Sequence, residues 1–219
     1  MGLSIHHVNK SFGEPPHRVL KDINIDIDSG EFVAISGKSG SGKTTLLYIL
    51  STLDDPTSGE VKIDGVNPYT MSTKDIHEFR NAHIGFIFQF HYLLPELSAI
   101  ENILLPARKH DLHRQKYSRA EELMNQFGLT NKNDRLPSQL SGGEQQRVAI
   151  ARSLIMEPKY LFADEPTGNL DSANGLVVMD LLKKINREQQ TTVVLVTHET
   201  DYAEMTSRII NLVDGEVVP

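Results

Sequence analysis

Two runs of residues in this chain are spaced for phosphate chemistry. Gly37-Lys38-Ser39-Gly40-Ser41-Gly42-Lys43-Thr44 fits G-x-x-x-x-G-K-[ST], a loop whose glycines let the backbone wrap phosphates closely. In that pattern Lys43 supplies a point charge to the β and γ phosphates, and the Thr44 hydroxyl can ligate Mg²⁺. N–H groups at the start of the following helix point at the anion. An ordinary flexible Gly/Ser loop is the competing reading. The second run, Asp164-Glu165, closes the apolar stretch Tyr160-Leu161-Phe162-Ala163 and delivers two carboxylates where a parallel sheet presents its ligands. An acidic residue at such a strand end holds Mg²⁺ in P-loop enzymes, which gives Asp164 the metal side. Glu165 is then the candidate general base for a positioned water. A solvated acidic turn ahead of Pro166 is the alternative.

These residues need strands and helices to place them. Phe32-Val33-Ala34-Ile35-Ser36 runs straight into the glycines, and Thr44 to Leu53 follows with helix-forming residues, so strand, loop and helix come in the order the pattern requires. Ile23, Ile25 and Ile27 alternate with Asn24, Asp26 and Asp28, the period of a strand with one wet face. Val61 to Ile63 ahead of Asp64-Gly65, and Ile84 to Phe88, read as further strands. From about Tyr92 to Met156 amphipathic helical stretches such as Arg119 to Phe127 and Glu144 to Met156 take over, which predicts a helical lobe inserted into an α/β core. Strands return at Tyr160 to Ala163, Thr192 to Thr197 and Ile209 to Val213, with a helix from about Ala173 to Gln189. Alternating strands and helices predict a mainly parallel, doubly wound sheet.

Composition limits the function. The 219 residues carry a formal charge of −7, so a general electrostatic grip on nucleic acid is not indicated, and no nucleic-acid partner is expected. Without cysteine there is no disulfide framework and no thiolate metal site. Met1 to His6 lacks the basic and apolar regions of an export signal, and no apolar run approaches the roughly 20 residues that cross a bilayer. The chain is therefore expected to stay where it is made, and to reach a membrane only through partner subunits. Arg108-Lys109-His110, Arg114, Lys116 and Arg119 form a local basic stretch, either a solvated face or a contact with anionic lipid.

Leu140-Ser141-Gly142-Gly143-Glu144, continuing as Gln145-Gln146-Arg147, resembles the signature sequence of ABC ATPases. In physical terms, Ser141 and two glycines precede an amphipathic helix and make a second anion-binding helix start; a plain N-cap with a Gly turn is the alternative. Two phosphate-binding elements far apart in one chain serve a single nucleotide only if one comes from a neighbouring molecule. The resemblance implies such a homodimer. Each ATP would lie between the P-loop of one subunit and Ser141, Gly142, Gly143 and Glu144 of the other, with binding closing the dimer and hydrolysis releasing it.

The resemblance covers almost the whole chain. It implies an α/β fold: a P-loop NTPase core with a mainly parallel sheet, an N-terminal antiparallel β subdomain and an inserted α-helical subdomain. Residues 1–219 would form one ATPase domain, with about 1–89 and 157–219 as the nucleotide-binding core and about 90–156 as the helical part. Carried over by position, it implies ATP contacts from Gly37, Lys38, Ser39, Gly40, Ser41, Gly42, Lys43, Thr44 and Thr45. Gln89, ending the Ile84 to Phe88 strand, matches a glutamine that touches Mg²⁺ and senses the partner, so the implied metal set is Thr44, Gln89 and Asp164. Asn169-Leu170-Asp171 matches a loop that puts Asp171 at the dimer interface. His198 matches a switch histidine holding the γ-phosphate and Glu165, which makes Glu165, His198 and Lys43 the implied catalytic set. Phe12 stands where an adenine-stacking aromatic is found, with Val19 flanking the same ring. A core aromatic, a polar strand end and a structural histidine compete for Phe12, Gln89 and His198 respectively.

Ile84 to Pro95, Glu101-Asn102 and Ala163 to Asp171 resemble most the lipoprotein-releasing branch of the family, and macrolide-exporter and cell-division relatives share much of them. That resemblance implies a cytoplasmic chain, peripheral on the inner face of the cell membrane, and two integral-membrane permease subunits docking near Phe90 to Leu97. The ATPase of a cell-division or antimicrobial-peptide-resistance complex is the nearby alternative. A soluble relative acting on DNA or ribosomes would bring long coiled-coil insertions or a second cassette, and this sequence has neither. A P-loop kinase is disfavoured by the second phosphate-binding element at Ser141.

Overall fold

The computed structural model describes residues 2–218. β1 (Gly2–Phe12) pairs antiparallel with β2 (His17–Asp28) on one side and β4 (Ser58–Ile63) on the other, making a three-stranded sheet in the order β2-β1-β4. The larger sheet is built from β3 (Phe32–Ser36), β5 (Ile84–Ile87), β6 (Tyr160–Asp164), β7 (Thr192–Val196), β8 (Arg208–Val213) and β9 (Glu216–Val218). Its order is β5-β6-β7-β3-β8-β9, parallel throughout except for the final β8–β9 hairpin. Helices α1 (Lys43–Leu50), α2 (Thr73–His83), α3 (Ala99–Arg108), α4 (Tyr117–Gln126), α5 (Gly142–Leu154), α6 (Ser172–Gln189) and α7 (Thr200–Ala203) complete the chain. Among the described residues no helix is long and apolar enough to cross a membrane.

The period of two along each strand divides the core. Leu161, Ala163, Val193 and Leu195 face a cluster shared with Ile100 and Ile103 of α3, Leu123 and Met124 of α4, and Val148 and Leu154 of α5. Tyr160, Phe162, Val194 and Val196 face the opposite cluster, with the isoleucines of β1 and β2 and the leucines of α1. β6 and β7 are buried on both faces along their whole length, as parallel strands covered on both sides must be. Truncating the fully buried Phe162 to alanine is expected to remove about 3–5 kcal/mol. That rigidity is what fixes the strand ends where the carboxylates sit.

Helix α2 gave no clear apolar pattern because it buries no residue; its sequence signal is Ser72, whose Oγ caps the Asp75 N–H at 3.2 Å. Strand β5 stops at Ile87, so Gln89 lies one residue beyond Phe88 in the following loop rather than directly on a strand end.

Candidate functional site

Register brings the two phosphate-directed runs level. Ile35 of β3 and Asp164 of β6 both pair with Val196 of β7, so the glycine loop and the carboxylates leave the same edge of the sheet. The loop closes tightly beneath itself. A Cβ at Gly37 would lie 2.2 Å from the Leu212 carbonyl oxygen, and Gly42, the residue ahead of α1, has φ +102°. α1 therefore begins with no side-chain cap and no acidic residue in its first turn, and its free N–H groups and positive dipole end face the loop. Lys43 is buried and donates to the carbonyls of Gly37 (2.9 Å) and Lys38 (3.0 Å), which holds its ammonium at the loop mouth. The buried Ser41 hydroxyl has no hydrogen-bond partner among the described residues. Unpaired donors and one cation are what a polyphosphate accepts.

Thr44 donates from Oγ1 to Asp164 Oδ1 at 3.1 Å. Burial pushes the Asp164 carboxyl up, the Thr44 hydrogen bond opposes this, the adjacent Glu165 charge raises it again, and Lys43 lowers it. A hydroxyl and a carboxylate side by side fit Mg²⁺, which takes one or two protein carboxylates plus phosphate and water oxygens rather than a full protein cage.

Glu165 turns the other way. Its φ of +44° is left-handed, a conformation that stores about 1–3 kcal/mol in a non-glycine residue, and its N–H is tied to the Val196 carbonyl at 3.0 Å. The turn aims the carboxylate at two neighbours from other elements. His198 Nδ1, just after β7, lies 3.1 Å from Oε1, and Gln89 Nε2, just after β5, donates to Oε2 at 3.4 Å. A cleft of about 290 Å³ is lined by Val19, Ser39, Gly40, Gly42, Lys43, Thr44, Thr45 and Glu165. This arrangement can cradle a polyphosphate, hold a hard cation beside it and take a proton from a water in the cleft.

Other predicted residues stand apart from that cleft. Phe12, at the end of β1, is 46% exposed and therefore not a core aromatic. Ser141 caps α5: its Oγ accepts from the Glu144 N–H (3.3 Å), while Glu144 Oε2 accepts from the Ser141 N–H (2.8 Å). Glu144 also pairs with Lys132; that bond and the Ser141 N–H hold its carboxyl below the usual range. A Cβ on Gly142 would meet open space, whereas one on Gly143 would lie 2.5 Å from Asn174 Oδ1. Asp171 caps α6 through the Asn174 N–H (2.8 Å) and is exposed. In the basic stretch, Arg108, Lys116 and Arg119 are paired with Glu101, Glu157 and Glu122.

Several residues make connections that their positions in the sequence do not show. Gln146, fully buried in α5, donates to the Pro166 carbonyl at 2.8 Å and so ties the signature helix to the loop after Glu165. Its sequence signal was position: it lies on the same helical stripe as Gly143 and Ile150. Asn169 Nδ2 donates to the Gln89 carbonyl at 2.9 Å. Arg152 donates to the carbonyls of His91 (2.7 Å) and Tyr92 (2.6 Å), and the buried Asn102 side chain bonds Leu94, Leu97 and Ser98, so the 90–97 loop is pinned at both ends. Phe90, Tyr92 and Leu94 nevertheless remain exposed.

A phosphate loop before α1, a strand-end Asp-Glu pair and a second glycine-led helix start on an inserted helical segment define a P-loop ATPase cassette. The family model described as ABC transporter matches residues 20–168, and the chain belongs to that family as an ATP-binding, ATP-hydrolysing subunit. The chain is 54% identical over 217 residues to the lipoprotein-releasing system ATP-binding protein LolD of Leptospira interrogans, covering 99% of this chain and 91% of that protein. The LolD of Aquifex aeolicus is 52% identical over 203 residues, covering 92% of this chain and 90% of that one. Among solved structures, the ATP-binding cassette MJ0796, in a dimeric post-hydrolysis state bound to ADP and Pi, superposes with a TM-score of 0.89 at 42% identity, covering 99% of this chain and 97% of that one.

Proposed function

We propose that this chain is the ATPase of a lipoprotein-releasing complex, working as a nucleotide-closed homodimer beneath two permease subunits on the cytoplasmic face of the inner membrane. The names of its relatives support the branch, and the dimeric form of the MJ0796 cassette supports the dimer.

The observation that carries the catalytic reading is Glu165, gripped between His198 and Gln89 at the lip of the phosphate cleft. Lys43 exchanges its bonds to the Gly37 and Lys38 carbonyls for the β and γ phosphate oxygens, while the amides of Gly40 to Thr45 surround them. Glu165 takes the proton of the attacking water, and His198 holds both the carboxylate and the γ-phosphate edge. Thr44, Asp164 and Gln89 would hold Mg²⁺, which would supply charge neutralisation to the polyphosphate. Phe12 and Val19 receive the adenine. Ser141, Gly142 and Gly143 of a second copy close over the γ-phosphate: the Ser141 hydroxyl keeps a proton to donate while it accepts from Glu144. Asp171 meets the second copy at the same interface.

The permease docks on the loop Phe90 to Leu97 and the neighbouring groove of about 420 Å³, whose walls include Phe86, Phe88, Tyr92, Arg80 and Arg152. Exposed aromatics beside a groove are the usual sign of a partner surface. Gln89 touches Glu165 at one end of this loop and is held by Asn169 at its own carbonyl, which couples docking to the catalytic carboxylate.

The test is an affinity pull-down of the Glu165→Gln chain with ATP from detergent-solubilised native membranes, read by mass spectrometry. The expected partner is an integral-membrane protein with few spans and a large extracytoplasmic domain. A many-span permease would move the chain to another branch, and ribosomal or DNA-bound partners alone would overturn the membrane assignment.

A further inference from the structure

Lys10 is a charged residue that the catalytic reading leaves unused, and it is 8% exposed. Its ammonium donates to Asp54 Oδ1 at 2.7 Å and to the Asp55 carbonyl at 2.6 Å. An ammonium has three donors, so one direction remains. In the structure Nζ stands 4.7 Å from the centre of the Phe12 ring, within cation–π range. Lys10 and Phe12 are two residues apart on β1 and so project to the same side of the strand.

The anchor matters as much as the contact. Asp54 lies four residues past the end of α1, the helix that begins at the phosphate loop, and its N–H and that of Leu53 bond back to the Tyr48 carbonyl inside α1. A continuous series of bonds thus runs from the phosphate helix through Asp54 and Lys10 to the aromatic ring at the tip of β1. With a cation against one face, the Phe12 ring has only its other face for a ligand. The cation also draws π density toward itself, which lowers the repulsion an electron-rich heteroaromatic base meets when it stacks on the opposite face.

We propose that Lys10 is a positioning residue for the nucleotide base: clamped by Asp54 and Asp55, it backs the Phe12 ring and sets the ring's distance from the phosphate loop, so that binding favours a purine nucleotide over a bare polyphosphate. This rests on the reading of Phe12 as the base platform. The competing description is a plain ion pair that fastens β1 to the exit of α1.

Calorimetric titration of the full chain with ATP and, separately, with inorganic tripolyphosphate distinguishes them. Lys10→Met keeps the aliphatic stem and removes the cation; ATP affinity is expected to fall about three- to tenfold with tripolyphosphate affinity unchanged within about twofold. Lys10→Arg, which preserves the cation against the ring, is expected to retain ATP affinity within about twofold. In a Phe12→Ala background, Lys10→Met is expected to have no further effect on ATP. Equal weakening of both ligands, or an undiminished effect in the Phe12→Ala background, would reduce Lys10 to a fastener and overturn the inference. If Phe12→Ala itself leaves ATP affinity intact, the base platform lies elsewhere, and both readings fall together. Should Lys10→Met not fold by circular dichroism, Asp54→Asn loosens the same clamp and carries the same expectation of selective ATP loss; a variant that binds ATP normally would overturn the proposal.

Discussion

The starts of α1 and α5 are both glycine-led helix ends, yet they are finished in opposite ways. α1 begins at Gly42 with no side-chain cap, no acidic residue in its first turn and an unpartnered Ser41 hydroxyl beside it. α5 begins at Ser141 with a complete capping box, and Lys132 secures the Glu144 that makes it. An uncapped helix end leaves donors free for an anion, so in the proposed site α1 would be completed by phosphate within its own chain. A capped end is stable alone. In the proposed dimer α5 would stand exposed to solvent until a second subunit's nucleotide arrives, and Gly142, with open space where a Cβ would be, would leave room for that approach. The difference teaches that the two halves of the proposed composite site face different constraints: one would have to bind, and the other to wait without unravelling.

The comparison breaks most clearly at the carboxylate proposed as general base. Glu165→Gln is expected to bind ATP and to hydrolyse it at least about a hundredfold more slowly, measured by phosphate release; near-normal turnover would remove Glu165 from its role. Next, Ser141→Arg is expected to leave ATP binding by the single chain intact while abolishing ATP-driven dimerisation in the Glu165→Gln background. Sedimentation velocity reads this directly, and a persisting ATP dimer would show that α5 does not face the nucleotide of a second copy. Gly37→Ala sharpens the description of the tight loop: its Cβ would press the Leu212 carbonyl, and a loss of about 1–3 kcal/mol is expected by chemical denaturation.

The smallest effect tests the self-capped end. Glu144→Ala is expected to cost about 1 kcal/mol at neutral pH, typical of a lost cap. Because the Glu144 carboxyl is lowered in the folded chain, by Lys132 and then by the Ser141 N–H, its stabilisation is present above the unfolded carboxyl's pKa and disappears as pH falls through the folded value. Denaturation curves of the two proteins should therefore separate at pH 7 and converge in acid. A gap independent of pH would assign the effect to lost packing of the side-chain stem instead of the carboxylate charge.

Much of this site was legible because its chemistry is local. Gly37 to Thr44 is contiguous, and a strand-loop-helix order around it needs only the apolar run before and the helix formers after. Asp164 and Glu165 were readable for the same reason, as the polar end of a fully apolar strand. Helix α2 was not, since a helix that buries nothing leaves no apolar stripe. The tie made by Gln146 was not legible because its partner, the Pro166 carbonyl, is distant in sequence and backbone atoms carry no residue signal. Lys10 was missed likewise: nothing near it predicts that Asp54, beyond two strands and a helix, closes over it.

By itself the sequence determined the local conformations and the reactive groups: glycines for the loop, a lysine and threonine at its end, carboxylates after a strand, and a serine cap three residues ahead of a glutamate. Only the tertiary structure decided which groups meet. Glu165 lies between His198 and Gln89 because three parallel strands, β5, β6 and β7, end at one edge in a register set by side chains buried on both faces. Local propensity acts over a few residues, whereas strand register is a cooperative property of the whole packed sheet, and that is why chemistry can be read along the chain while its geometry cannot.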